Sequence, residues 1–230
     1  MRSDLFEQAR FWERRFFETP PDRSLADRDW SWLLGPLRAA GVRTVLDVGF
    51  GRGHWSVALA RAGFQVTAVE ISARAVEHLR AWAEEEGLSV EAFVCPAQEL
   101  PTHRVFNAVI ANSVLDHMFK EEAEEAMRRI YAVLRPGGLL LLGMDGPPDE
   151  EDEKYPHLVF PDGTWQFLGG RRDRMLWRFW KGEELRSLLQ GFTLDEFQVG
   201  PDGRRRIWAK KAKTAKFAEL LEKILVEVEG

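Results

Sequence analysis

The 230-residue sequence has one cysteine, no long apolar run, no internal repeat and no surplus of basic charge. Each absence removes a class of protein. Cys95 alone closes no intrachain disulfide and builds neither a cysteine-rich metal site nor a two-cysteine redox centre. A reducing, cytoplasmic setting is therefore expected, with the thiol read as a small core residue rather than a nucleophile. No segment reaches the roughly 18 apolar residues of a membrane span. The start of the chain, Met1-Arg2-Ser3-Asp4-Leu5-Phe6-Glu7, lacks the apolar stretch of a signal peptide. Lys and Arg number 32 against 37 Asp and Glu, a net charge of −5, so no long-range field draws the chain to nucleic acid or anionic lipid.

What is present is an ordinary globular composition, 45% hydrophobic and 30% charged. A chain of this length buries roughly 70 to 75% of its unfolded surface without staples. Strand-like segments at residues 42–48, 66–71, 90–94, 108–111 and 139–143 alternate with helical patterns. One such pattern starts at Ser72, an N-cap, and carries Val76, Leu79 and Ala83 on one face before Gly87. Another carries Ala123, Met127, Ile130 and Leu134 before Pro136. The alternation predicts an α/β fold of Rossmann-like type: a doubly wound, seven-stranded, mostly parallel sheet. An antiparallel edge hairpin is expected at 192–199 and 204–209, joined by the Pro201-Asp202-Gly203 turn. Residues 1–41 read as a helical cap rich in aromatics, including Trp12 and Phe16, and residues 42–210 as the main domain. Within it, 145–175 reads as an irregular insertion and a substrate lid, with the acidic run 149–153 as solvated loop. Residues 211–230 read as an amphipathic helix with Phe217, Leu221, Ile224 and Val228 on one stripe.

The most informative stretch is Val45-Leu46-Asp47-Val48-Gly49-Phe50-Gly51-Arg52-Gly53-His54-Trp55, a strand entering a glycine turn and then a helix. Glycines allow a tight turn and close approach of a ligand to the backbone. A dinucleotide fingerprint would place its third glycine where His54 stands, and the Asp47 carboxylate would repel a pyrophosphate while suiting a cation. Glu70, at the tip of the next strand, is placed to accept both hydroxyls of a ribose. Asp47 and Glu70 together describe a ligand with a ribose and a positive charge but no phosphate. S-adenosylmethionine has those properties.

From residue 42 to about 210 the sequence resembles the class I S-adenosylmethionine-dependent methyltransferases. Asp47 with Gly49, Gly51 and Gly53 looks like their first motif, and Glu70 like the acidic ribose ligand. Ala97-Gln98-Glu99-Leu100-Pro101 is similar to the segment that flanks the adenine. The run from Phe106 to His117 and the Leu134-Arg135-Pro136-Gly137-Gly138 turn follow in the family's order. Pro96 stands where the family usually has an acidic residue, and Asn107 where it commonly has Asp. The aromatic N-terminal segment and Phe179-Trp180-Lys181-Gly182-Glu183-Glu184-Leu185 look like small-molecule enzymes related to tellurite-resistance and thiopurine methyltransferases.

The resemblance implies S-adenosylmethionine as cofactor and S-adenosylhomocysteine as product, held by Asp47, Gly49, Gly51, Gly53, His54, Glu70, Ile71, Ala97, Gln98 and Asn112. It implies methyl transfer to an O, N or S atom of a small molecule, with no metal. Open α/β sheets bind ligands beyond the carboxyl ends of their strands. Asn112, Ser113, Asp116, His117 and Asp145 lie there by position. His117 is the first candidate for a general base, because its charge changes near neutral pH. Asp116 is the second, its alternative being a residue that stabilises a helix start. Trp12, Phe16, Tyr155, His157 and Trp165 are candidates for an apolar lid over the substrate. Trp12 and Phe16 read equally well as core, and Trp55 as buried against the sheet.

Two rival functions start from other residues. An RNA methyltransferase would use Arg171-Arg172-Asp173-Arg174 and the cluster Arg204, Arg205, Arg206, Lys210, Lys211, Lys213 and Lys216. The segment Ala111-Asn112-Ser113-Val114 lacks the N/D-P-P-Y/F sequence used on base amines. A non-catalytic scaffold would recruit partners through the C-terminal helix. The partner expected is a small molecule rather than nucleic acid or membrane, on a monomer or a homodimer joined by that helix.

Overall fold

The computed structural model describes residues 3–19 and 21–212. The chain opens with α1 (Ser3–Glu18), a run free of glycine, proline and β-branched residues, and then α2 (Ser31–Ala39). The main domain alternates strand and helix: β1 (Thr44–Val48), α3 (His54–Arg61), β2 (Gln65–Glu70), α4 (Ala73–Glu85) and β3 (Val90–Val94). After these come β4 (Phe106–Asn112), α5 (Lys120–Val133) and β5 (Leu134–Met144). Ser72 caps α4 as its sequence position implied, its hydroxyl accepting the Ala75 N–H at 3.2 Å.

The segment after β5 is more ordered than its sequence suggested. It forms α6 (Glu150–Lys154), β6 (His157–Val159), β7 (Trp165–Phe167) and β8 (Leu176–Trp177), the strands making a separate three-stranded antiparallel sheet. The acidic run is thus a helical turn rather than loop, because the Asp149 carboxylate accepts the Glu151 and Asp152 N–H groups. The chain then adds α7 (Gly182–Leu188), β9 (Phe192–Val199) and β10 (Arg205–Lys211). The proposed C-terminal helix, with Lys213 and Lys216, lies outside the described residues.

The large sheet has seven strands in the order β3-β2-β1-β4-β5-β10-β9, and β10 alone runs opposite to the other six. The fold is therefore the Rossmann-like, doubly wound α/β sheet with an edge hairpin. Alternation along β1 sends Leu46 and Val48 into a core with Ala123, Met127 and Ile130 of α5, and Val45 into a second core with Leu33, Leu37 and Val57. Residues 134–138 depart from expectation: they do not end before β5 but run inside it as a bulge, where the pairing steps from Phe106–Leu134 to Ala108–Leu139. A side chain at Gly138 would meet the Arg135 carbonyl at 2.9 Å. The chain winds outward from β1 to β3 and returns to β4 beside β1, so strand order reverses between β1 and β4. A ligand crevice belongs at their carboxyl ends.

Candidate active site

A cavity of about 420 Å³ opens at that reversal. Its floor is the turn from β1 into α3, where Gly49, Gly51 and Gly53 all adopt left-handed backbone, with φ of +64°, +57° and +80°. A Cβ on Gly49 would lie 2.3 Å from Val114 Cγ2, so this position needs glycine for space as well as for dihedral. Gly49, Gly51 and His54 line the cavity, while Gly53 lies behind it as the N-cap of α3, packed against Leu79.

Two buried carboxylates face the cavity from adjacent strand tips. Asp47, on β1, is 3% exposed and accepts the Ser56 hydroxyl at 2.6 Å. Burial pushes its carboxyl up to about 7, against the pull of Ser56 and with the help of nearby Glu70. Glu70, on β2, is 6% exposed and accepts the N–H groups of Gly51 at 3.0 Å and Ile71 at 2.7 Å. Its carboxyl is also raised by burial, opposed by its backbone donors. Each is costly to ionise without a cationic or hydroxyl-bearing partner. Ile71, Ala97 and Gln98 continue the same wall, together with Pro96 and the half-buried Cys95, which is therefore a wall residue rather than core.

The opposite end of the cavity is built from β4, the short turn after it and α1. Asn112, Ser113 and His117 line it, and so do Trp12 and Phe16. The two aromatic rings are stacked with centroids 5.8 Å apart, and Trp12 meets the His117 ring edge-on at 5.1 Å. Helix α1 is clamped across this end at two points. Glu13 accepts the Ser72 hydroxyl at 2.6 Å, and Gln8 donates to the Arg174 carbonyl at 2.8 Å. His117 Nδ1 lies 2.9 Å from the Leu176 carbonyl oxygen, and its Nε2 lies 3.7 Å from Asp145 Oδ2. Ser113 donates to Asp145 Oδ1 at 3.2 Å.

Other sequence candidates sit elsewhere. Asp116 is fully buried and lines no part of the cavity; its Oδ2 accepts the Asp145 N–H at 3.0 Å. Burial, then the neighbouring Asp145, hold its carboxyl well above the usual range, so it acts on the site through Asp145 rather than by touching a ligand. Asp145 itself stands behind Ser113 and His117, off the cavity wall. Tyr155, His157 and Trp165 form no lid over the cavity, because they pack among themselves and their small sheet. His157 stacks on Trp165 at 3.8 Å, Trp165 meets Trp177, and Tyr155 meets Phe167. The insertion reaches the site through a backbone carbonyl, that of Leu176.

Residues that the sequence reasoning passed over also line the cavity: Leu5, Gln8, Phe50, Val114 and Met118, with Trp55 on the wall rather than buried behind it. Leu5, Gln8, Trp12 and Phe16 recur at helical spacing, a signal in the sequence that marked one face of α1 for the site. The basic residues of the RNA-enzyme reading are largely engaged. Arg172 pairs with Asp152, Arg174 with Glu7 at 3.7 Å and Lys210 with Asp195 at 2.6 Å. Lys211 donates to two carbonyls, while Arg205 is buried on the carbonyls of Trp180 and Asp145.

Residues 45–138 match a family described as a methyltransferase domain. The 1,6-didemethyltoxoflavin-N1-methyltransferase of Burkholderia thailandensis, solved with 1,6-didemethyltoxoflavin and S-adenosylhomocysteine, is similar at 25% identity with a TM-score of 0.60. The alignment covers 83% of this chain and 80% of that one. Residues 45–138 thus carry a methyltransferase domain. Among curated relatives, the ubiquinone biosynthesis O-methyltransferase of Xanthomonas axonopodis pv. citri is 35% identical over 113 residues, 48% of this chain and 46% of that protein. The ubiquinone biosynthesis O-methyltransferase of Bordetella avium is 29% identical over 132 residues, 56% of this chain and 54% of that protein. The chain thus spans about half the length of these curated relatives.

The donor set of the cavity fits S-adenosylmethionine, the cofactor of the matched domain family. Glu70 offers a carboxylate for two vicinal hydroxyls, Asp47 one for a cationic end, and no cationic side chain is seated on the glycine turn except Arg52, which donates to the Thr19 carbonyl. Among the described residues no helix is long and apolar enough to cross a membrane, and no group of three or more His, Cys, Asp or Glu could hold a metal ion.

Proposed function

We propose that the protein transfers a methyl group from S-adenosylmethionine to an O, N or S atom of a small molecule. The observation that carries the reading is one cavity with two buried carboxylates, Asp47 and Glu70, at one end and a ring-lined pocket with His117 at the other. The cofactor, when bound, supplies a methyl group already activated on a sulfonium sulfur. This chain's task is then to hold, align and dry the two reactants. Glu70 would hold the ribose hydroxyls, Asp47 the charged methionine end, and Ile71, Ala97, Gln98 and Pro96 the flat base.

The stacked Trp12 and Phe16 exclude water from the acceptor end, residues 1–41 thereby serving as a cap on the domain of residues 42–210. The pairing of the arginines and lysines supports a small molecule over RNA. The single thiol supports a cytoplasmic setting. Isothermal titration with S-adenosylmethionine, S-adenosylhomocysteine and NAD tests the reading. Micromolar binding of the first two and none of NAD is expected; a folded protein that binds neither sulfur ligand refutes it.

A further inference from the structure

A second groove, of about 640 Å³, lies along α1 apart from the active-site cavity. We propose that it binds a small molecule carrying a diphosphate group, held by Arg10 and Arg14 of α1, Arg74 of α4 and Arg174 of the loop before β8.

Helical spacing divides α1 between two sites. Leu5, Gln8, Trp12 and Phe16 line the active-site cavity, while Glu7, Arg10, Arg14 and Phe17 recur on another stripe and line the groove. Arg74 closes it from the first turn of α4, and Asp173 and Arg174 close it from the insertion. Four guanidinium groups thus converge from three elements that are far apart in the chain. Their donors are largely unspent, although each has five N–H groups in a planar fork. Among the described residues the Arg10 guanidinium forms neither a hydrogen bond nor an ion pair; it lies over the Phe6 ring at 5.7 Å. Arg14 donates to the Asp173 carbonyl at 3.3 Å. Arg174 faces Glu7 at 3.7 Å, beyond hydrogen-bond reach, in a pair exposed on both sides and so worth little. Arg74 pairs with Glu77 of its own helix at 3.2 Å, and its Nε is buried with no partner.

Two of the three carboxylates that share the groove are committed elsewhere. Glu13 accepts the Ser72 hydroxyl at 2.6 Å and the Arg74 N–H at 3.1 Å, so its charge sits on the positive end of α4. Asp173 accepts the Gly169 N–H at 2.8 Å. Only Glu7 remains, and a dianion outcompetes it for Arg174. The backbone of Arg174 is itself held in a strained state, left-handed at φ +73° although the residue has a side chain. Its N–H donates to the Phe167 carbonyl at 2.9 Å and its carbonyl accepts Gln8 at 2.8 Å, so the fold enforces the conformation that brings this side chain to the groove. The chemistry selects the ligand. Forked donors match phosphate oxygens, two to a guanidinium. Arginines on three sides of a groove of this volume exceed what one phosphate can meet and suit two joined ones. The Phe17 ring, 67% exposed with the Arg74 guanidinium 5.3 Å from its centroid, offers a flat surface for the organic part. The four arginines surround one groove rather than form a track, which favours a small ligand over an RNA strand. A ligand held this way ties α1 to α4 and to the insertion.

The test is calorimetric titration of the full chain with pyrophosphate, inorganic phosphate and a short single-stranded RNA at physiological salt. Submillimolar binding of pyrophosphate is expected, about tenfold tighter than phosphate, with a raised melting temperature as the elements are tied together. Arg10→Gln has no polar contact in the described protein to lose, so its melting temperature without ligand should stay native while pyrophosphate affinity falls by roughly three- to tenfold. Arg10→Gln combined with Arg14→Gln should lower it by more than about tenfold. Arg38→Gln, on the exposed side of α2, should leave it unchanged and controls for overall charge. Titration with ADP and with farnesyl diphosphate then tells whether the organic part is a base or an apolar chain. Pyrophosphate that does not bind, that binds no tighter than phosphate, or that binds the double variant as tightly as the native protein overturns the proposal. So does RNA that binds more tightly than pyrophosphate with the same loss in the double variant, which would assign the groove to nucleic acid. S-adenosylmethionine is in none of these titrations, so their outcome is independent of the methyl-transfer reading.

Discussion

Replacing Asp47 by Asn separates what this carboxylate does for binding from what it costs the fold. In the free protein burial lifts the Asp47 carboxyl from 3.8 to about 7, a preference for the protonated form of about 4 kcal/mol. The folded chain therefore holds this proton more tightly than the unfolded chain. The associated stability is whole below pH ~4, declines as pH rises through the window, and is gone above pH ~7. Asn cannot ionise and retains an oxygen for the Ser56 hydroxyl, so Asp47→Asn escapes the decline. Its melting temperature should match the native protein's near pH 4 and exceed it at pH 8. At roughly 2–4 °C per kcal/mol for a chain of this size, the gap at pH 8 has an upper bound of about 8–16 °C. Binding should move the other way. A cationic ligand favours the carboxylate, so native protein should release a proton on binding S-adenosylmethionine at pH 6. Calorimetry in buffers of different ionisation enthalpy reads that proton directly, and Asp47→Asn should show no release and weaker affinity. Parallel melting curves for the two proteins from pH 4 to 8 would refute the argument.

Three other outcomes are expected. Glu70→Ala removes the acceptor of the Gly51 and Ile71 N–H groups at the ribose end, and titration should find S-adenosylmethionine affinity reduced at least tenfold while circular dichroism stays native. Gly49→Ala places a methyl against Val114 at a positive φ, which should destabilise by roughly 1–3 kcal/mol in chemical denaturation and abolish cofactor binding. Asp116→Asn keeps neutral a position that burial, then Asp145, already pushes toward the protonated form, so turnover and melting temperature should stay close to native; a hundredfold loss of kcat would restore Asp116 to a direct role.

The sheet was legible because its strands are short apolar runs punctuated by glycine and by capping residues such as Ser72, signals that act within a few positions of each other. The cofactor end was legible for the same reason: Asp47, the glycine turn and Glu70 are fixed by strand ends. The acceptor end was not. Leu5 and Gln8 reach it because α1 docks through Glu13 and Gln8; their helical spacing marks a shared face, but the contacts join residues far apart in the chain, so the spacing alone does not say what that face meets. Tyr155, His157 and Trp165 misled because an aromatic-rich insertion beside a site looks like a lid whether its rings face the cavity or one another. Here β6 pairs with β7 and turns them inward. The bulge inside β5 was hidden because Pro136-Gly137-Gly138 punctuates a strand and a turn alike.

The clamp on α1 also bears on the order of assembly. The Gln8–Arg174 contact spans 166 residues, so α1 gains this second clamp only after the three-stranded insertion has been made. Until then α1 rests on Ser72 of the α4 cap and on the core around Phe16 alone, and closing so long a loop yields the Arg174 contact last. The strands that carry Asp47 and Glu70 can pair long before that moment. A nascent or partly unfolded chain would therefore acquire its grip on the cofactor ahead of its enclosure around the acceptor.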